Sequence, residues 1–319
     1  MSSNHRPIRR AVVLGLTLLA LVAGVLAVVS ERHRVADAMS QIHPVTVVAA
    51  LALVGVANLF MMLSWRALLA GLGSQLPLRA ASRVFFQSQL GKYLPGSVWP
   101  MLAQVELGRE HQVPARRSAV VSMLTLVLSV AGGLLVAALM LPLMGGAVTR
   151  RYWWTFLLAP LIATVLYPRV LNPLLVWAFR TVRRPPPAEP VTLRGEAVAL
   201  YWILAAWLAY GLQVWVIMRD LGATQARALP IAIGAFALAW TVGFLVVIAP
   251  AGAGAREAVL VLALAPVLSA GSALVLAIIS RALLTGSDFL LAGMVLLTRR
   301  RGGATEMAGA AEQAGQDPD

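Results

Sequence analysis

The 319-residue chain contains no cysteine, a single lysine, four histidines and only 13 acidic residues. The missing cysteine excludes disulfides, thiolate metal sites and a cysteine nucleophile, and leaves the redox compartment undecided. The four histidines (His5, His33, His43 and His111) stand in polar segments without metal-ligand spacing, which argues against a zinc or di-iron centre. No phosphate-binding Walker loop, kinase motif set or serine-hydrolase elbow is present. The most telling scarcity is charge. Asp, Glu, Lys and Arg together make up 12% of the residues, against about a quarter in soluble domains, so most of the surface must face something apolar.

What fills the chain instead is hydrocarbon: 60% of its residues are hydrophobic and the mean hydropathy is +0.81. A net charge of +13 is compatible with nucleic acid binding, but the arginines are scattered between apolar blocks, and that pattern marks membrane topology instead. About 20 apolar residues are needed to cross a hydrocarbon core of roughly 30 Å. By that measure the spans fall near 11–29, 44–63, 118–141, 152–168, 197–218, 229–249 and 270–297. The first is too long for the apolar core of a cleavable signal and lacks a good cleavage site, so it is expected to remain as a helix. The predicted fold is an all-α, polytopic membrane bundle of about eight crossings in one domain, 1–298, with a disordered cytoplasmic tail at 299–319.

Counting loop arginines from a cytoplasmic N-terminus places 17 inside and 6 outside, which favours that orientation. A cytoplasmic C-terminus then requires an eighth crossing, and the only stretch left to supply it is 250–268. The proline-rich loop at 180–196 is expected to be a cytoplasmic connector, and Asn172 to Phe179 before it to lie in the interface, anchored by Trp177.

Two stretches have the polarity of membrane-depth segments and the residues of broken ones. In 84–108, Pro95, Gly96 and Pro100 predict two short helices flanking an unwound Leu94 to Pro100, with a surface amphipathic helix and loop as the alternative. In 250–268, Pro250, Gly252 and Gly254 precede Arg256 and Glu257, predicting a hinge that opens a helix. Its backbone N–H groups and dipole suit an anion. Paired interruptions of this kind point to a substrate site between transporter halves.

Charge at membrane depth is costly and marks cavities, partners and function. The substrate-binding candidates are Lys92, Pro95, Gly96, Glu106, Arg109, Gly252, Gly254, Arg256, Glu257, Arg281 and Asp288. Glu106 and Arg109 are spaced to pair along one helix face. Arg281 and Asp288 share a face of one helix, two turns apart, so each needs another partner. Glu257 suits Arg281, and Asp288 suits Arg256. The chemistry implied is recognition of something anionic and amphipathic, with no cofactor and no metal.

The stretches GKYLPGSVWPMLAQVELGR, APAGAGAREAVL and SRALLTGSD (Gly91–Arg109, Ala249–Leu260 and Ser280–Asp288) resemble the lysylphosphatidylglycerol synthase transmembrane-region family. The likeness extends over about residues 8 to 300. That family includes the flippase domain of the bacterial multiple peptide resistance factor. The resemblance implies re-entrant segments, roles for Glu106, Arg109, Arg256, Glu257 and Arg281, and translocation of an anionic or zwitterionic phospholipid or a polyprenyl-phosphate lipid. Bifunctional members append a soluble aminoacyl-transfer domain, which this chain lacks, so synthase activity is not expected. The alternatives are a non-transporting membrane subunit for a glycosyltransferase or lipid-modifying enzyme, and an integral membrane transferase acting on a lipid-linked substrate. A membrane lipid is the expected partner, with a homo-oligomer possible and nucleic acid not expected. The expected location is the plasma membrane.

Overall fold

A computed structural model describes residues 40–93, 99–144, 167–181, 192–245 and 254–314, together with residues 150, 157, 160 and 164. Among these the chain is all helix: α1 (Pro44–Gly71), α2 (Leu78–Gln89), a 3-10 turn (Leu90–Tyr93), α3 (Trp99–Arg109), α4 (Ala115–Met140), a second 3-10 turn (Leu141–Met144), α5 (Pro168–Thr181), α6 (Leu193–Asp220), α7 (Ala228–Leu245), α8 (Ala255–Leu264) and α9 (Ala270–Ala314). Four of them, α1, α4, α6 and the Ala270–Leu297 part of α9, are long and apolar enough to cross a membrane. No more than half of each apolar window is buried inside the protein (33–50%). The rest faces outward, as a lipid solvent permits.

The frame is the antiparallel pair α1 and α6. At one end the two backbones approach so closely that a Cβ added to Gly195 would lie 3.2 Å from Gly71 Cα. Lipid supplies no hydrophobic drive between helices, so small residues that admit such contact do the holding. At the other end the His43 backbone N–H donates to Asp220 Oδ2 at 2.9 Å. Pro44 opens α1, and the Thr192 hydroxyl accepts the Gly195 N–H at 3.2 Å to cap α6. The same glycine logic seats the neighbours. A Cβ on Gly211 of α6 would strike Ile233 of α7 at 2.5 Å, and Gly132 and Gly133 of α4 receive Ile203 and Trp207 of α6.

Several boundaries differ from the sequence expectation. Helix α1 runs past 63 to Gly71, because Ser64 and Trp65 are buried and Arg66 Nε donates to the Leu76 carbonyl at 2.8 Å. Helix α3 already includes Trp99 and Pro100, expected to be unwound; proline is tolerated in a first turn, where its missing N–H has no partner to lose. Helix α9 is described as far as Ala314. Helix α8 has ten residues, about 15 Å at 1.5 Å rise, which is half of the crossing expected of 250–268. The spans 11–29 and, apart from residues 157, 160, 164, 167 and 168, 152–168 lie outside the described residues, as do 94–98, 182–191 and 246–253.

Candidate functional site

Helices α2 and α3, of 12 and 11 residues, are each too short to cross and pack together as a hairpin. Its open end is fixed where Arg83 Nη2 meets Glu110 at 2.9 Å, the same end at which Arg117 of α4 donates to Ser74 at 2.6 Å. Its tip is the 3-10 turn. Gly91 belongs there because an added Cβ would sit 2.9 Å from Pro100 N, so the turn folds directly onto the start of α3.

The tip carries Lys92 and Tyr93 to α9. Lys92 Nζ lies 2.6 Å from Asp288 Oδ2, and the Tyr93 hydroxyl donates to the same oxygen at 2.6 Å. The Tyr93 ring stacks on Phe289, with centroids 5.4 Å apart. Asp288 is 4% exposed, so these two donors replace water for its carboxylate. The sequence expectation that Arg256 pairs with Asp288 is therefore corrected: the hairpin tip takes that carboxylate.

The second interruption supplies the other charges. Gly254 adopts φ +87°, a left-handed conformation that only glycine takes freely, and it opens α8. The Glu257 carboxylate spans two duties. One oxygen accepts the Gly254 N–H at 2.7 Å and the other receives Arg281 Nη1 at 2.8 Å. The Arg281–Glu257 pair is thus as the sequence suggests. The Gly254 N–H, expected to greet a bound anion, is already held by the protein's own cap.

Arg256 is left over. Its guanidinium lies over the Phe236 ring, 4.7 Å from the centroid, and its Nη2 is buried with no hydrogen-bond partner. It stands within electrostatic range of Glu257, Arg281, Tyr210 and Asp288. Gly243 of α7 lets α8 come this close, since a Cβ there would meet Arg256 Cβ at 2.7 Å. Beneath the guanidinium, Phe236 stacks on Tyr210, with centroids 5.2 Å apart and a tilt of 22°. The Tyr210 hydroxyl donates to Asn58 Oδ1 at 2.6 Å, and Asn58 Nδ2 donates to Ser287 Oγ at 3.1 Å, next to Asp288. Gln213 Nε2 donates to Ser280 Oγ at 2.9 Å beside them.

These residues share one depth. Asn58 is the fifteenth of the 28 residues of α1, Phe236 the ninth of the 18 of α7, and Arg281 the twelfth of the 28 in the apolar part of α9. The cluster therefore sits near the middle of the helices, where two broken elements meet the continuous helices α1, α6 and α9. Glu106 and Arg109 are not part of it. They pair with each other at 3.1 Å on the outward side of α3, with side chains 74% and 60% exposed, because a three-residue spacing keeps both on one turn. Pro95, Gly96 and Gly252 lie outside the described residues. Tyr93, Asn58, Tyr210 and Phe236 are absent from the sequence candidates. The usable signal was a neutral polar residue at the midpoint of an apolar span, which Asn58 is.

A family model described as "Lysylphosphatidylglycerol synthase TM region" matches residues 12–292. No curated protein matches the chain.

Proposed function

Because the chain belongs to the lysylphosphatidylglycerol synthase transmembrane-region family of membrane proteins, we propose that it is a lipid translocase. In this reading it carries the headgroup of an anionic or zwitterionic phospholipid, or of a polyprenyl-phosphate lipid, past the mid-depth cluster between leaflets. It catalyses no covalent step. The N- and C-termini face the cytoplasm, the membrane is the plasma membrane, and the α2–α3 hairpin is re-entrant from the cytoplasmic side.

The observation that carries the reading is Arg256. A buried guanidinium whose Nη2 has no partner is costly, and an acid or an anionic guest offsets that cost. Both nearby acids already hold other cations, Lys92 and Arg281. A phosphate fits the vacancy because the planar guanidinium fork matches its oxygens. Discontinuous elements meeting at mid-depth are the common setting for substrate binding in transporters.

The test is translocation of a tail-labelled phosphatidylglycerol in proteoliposomes, read by quenching of the outer-leaflet label. Wild type is expected to expose the inner-leaflet label. Arg256→Ala is expected to insert and fold but lose most of this activity, and Arg256→Lys to be weak. A stable Arg256→Ala protein that translocates every tested lipid at the wild-type rate refutes the proposal.

A further inference from the structure

We infer that the mid-depth cluster selects a headgroup bearing one negative charge, a phosphodiester, over a phosphomonoester, a diphosphate or a zwitterion. The inference rests on the translocase reading and adds to it the charge class of the substrate.

Among the described residues, three cations, Lys92, Arg256 and Arg281, face two acids, Glu257 and Asp288. Lys92 and Asp288 cancel at 2.6 Å, and Arg281 and Glu257 cancel at 2.8 Å, so the surplus is one positive charge. The surplus is localised on Arg256, whose Nη2 is the buried donor without a partner. The neighbouring stretches 94–98 and 246–253 contain no ionisable side chain, so nothing in them alters the count. Glu106 and Arg109 cancel each other at the surface.

In a weakly screened interior an unmatched charge is expensive in either direction. One phosphodiester brings the cluster to neutrality. A phosphomonoester or diphosphate carries it past neutrality, and a zwitterion leaves the surplus in place while adding a second cation that has no acid to meet. The Phe236 ring occupies one face of the guanidinium, so the anion is met by its edge, where a single phosphate seats on the fork. Tyr210 and Asn58 hold that ring in position from below. The chemistry is the same whether the phosphodiester belongs to a glycerophospholipid or to a glycosylated polyprenol.

The closing experiment measures retention of short-chain lipids on the detergent-solubilised protein by native mass spectrometry. The probes are dioctanoyl phosphatidylglycerol, dioctanoyl phosphatidate, dioctanoyl phosphatidylcholine, farnesyl diphosphate and a hexosyl phosphodiester of a short polyprenol. The two phosphodiesters of net charge −1, phosphatidylglycerol and the hexosyl phosphopolyprenol, are expected to bind at least about ten-fold tighter than the other three, and their ranking against each other identifies the source of the natural lipid. Asp288→Asn and Glu257→Gln each raise the surplus to two, and each is expected to move the preference about ten-fold toward phosphatidate. The double variant Lys92→Gln, Asp288→Asn returns the surplus to one and is expected to return the preference to phosphodiester, which separates charge from misfolding.

A wild type that binds phosphatidate as well as phosphatidylglycerol overturns the inference. So does an unchanged preference in both acid variants while Arg256→Ala abolishes phosphodiester binding, a result that leaves the translocase reading standing. Absence of binding by every phosphate lipid overturns both.

Discussion

Replacing Asp288 by asparagine removes one charge and almost no volume, so it isolates what the hairpin tip gains from α9. At 2.6 Å the Lys92–Asp288 attraction is roughly 6 kcal/mol for an effective dielectric constant near 20. Much of that is offset by the desolvation of both groups, and Lys92 keeps 35% of its side chain exposed, which screens the pair further. Tyr93 retains a neutral acceptor in the amide. The expected loss for Asp288→Asn is therefore about 2–4 kcal/mol, short of the 3–5 typical when a fully buried pair is broken. Lys92→Met leaves a carboxylate that is 4% exposed without its cation, and should cost at least as much. The double variant should cost less than either single, about 1–2 kcal/mol, because no charge is left unmatched. Unfolding in mixed micelles, followed by the emission of the buried Trp207 and its ring neighbour Trp240, gives all three values. Additive single costs, to within about 0.5 kcal/mol, would show that the two side chains do not act as a pair and would refute the reasoning.

Gly211→Ala places a methyl 2.5 Å from Ile233 and 2.6 Å from its Cα, and is expected to cost about 1–3 kcal/mol in the same unfolding assay. Gly55→Ala meets nothing within 4 Å and is expected to leave stability unchanged or raise it by up to about 1 kcal/mol. A cysteine introduced at Ala188 is expected to resist an impermeant maleimide in intact cells and to react in inverted vesicles; labelling from outside would reverse the assigned orientation. The double variant Pro95→Leu, Gly96→Leu is expected to insert normally and lose translocation, and full activity would argue for a plain surface segment.

The spans were legible because lipid leaves a blunt mark on composition: runs such as 44–63 and 197–218 go some twenty residues without a charge, which a water-facing surface does not tolerate. The break before α8 was legible for a local reason, since Gly254 takes the left-handed conformation that glycine alone adopts freely, while Pro95, Gly96 and Gly252 lie outside the described residues. Arg281 and Glu257 could be matched because charges at membrane depth are few, and the same scarcity misled for Asp288. Its partners, Lys92 and Tyr93, come from a hairpin whose fold onto α9 is a tertiary fact without any sequence periodicity. Asn58, Tyr210 and Phe236 were missed because they carry no charge, although they support the cation that the two acids leave unmatched. Glu106 and Arg109 illustrate the opposite error: their spacing announced a pair, and spacing alone does not tell a surface pair from a buried one.

The hairpin tip and its acid are 195 residues apart in the chain, counted from Tyr93 to Asp288. At roughly 5–20 residues per second of synthesis, some 10 to 40 s separate their emergence from the ribosome. Until α8 and α9 are made, Lys92 has no carboxylate of the cluster to meet, and an ammonium alone in hydrocarbon is strongly disfavoured. Seating of the hairpin is therefore a late assembly step that waits for α9, while the frame of α1 and α6, closed by glycine contacts that need no charge, is complete some seventy residues of translation earlier. Biogenesis of this protein thus has a built-in order, with uncharged helices docking first and the charged centre closing last.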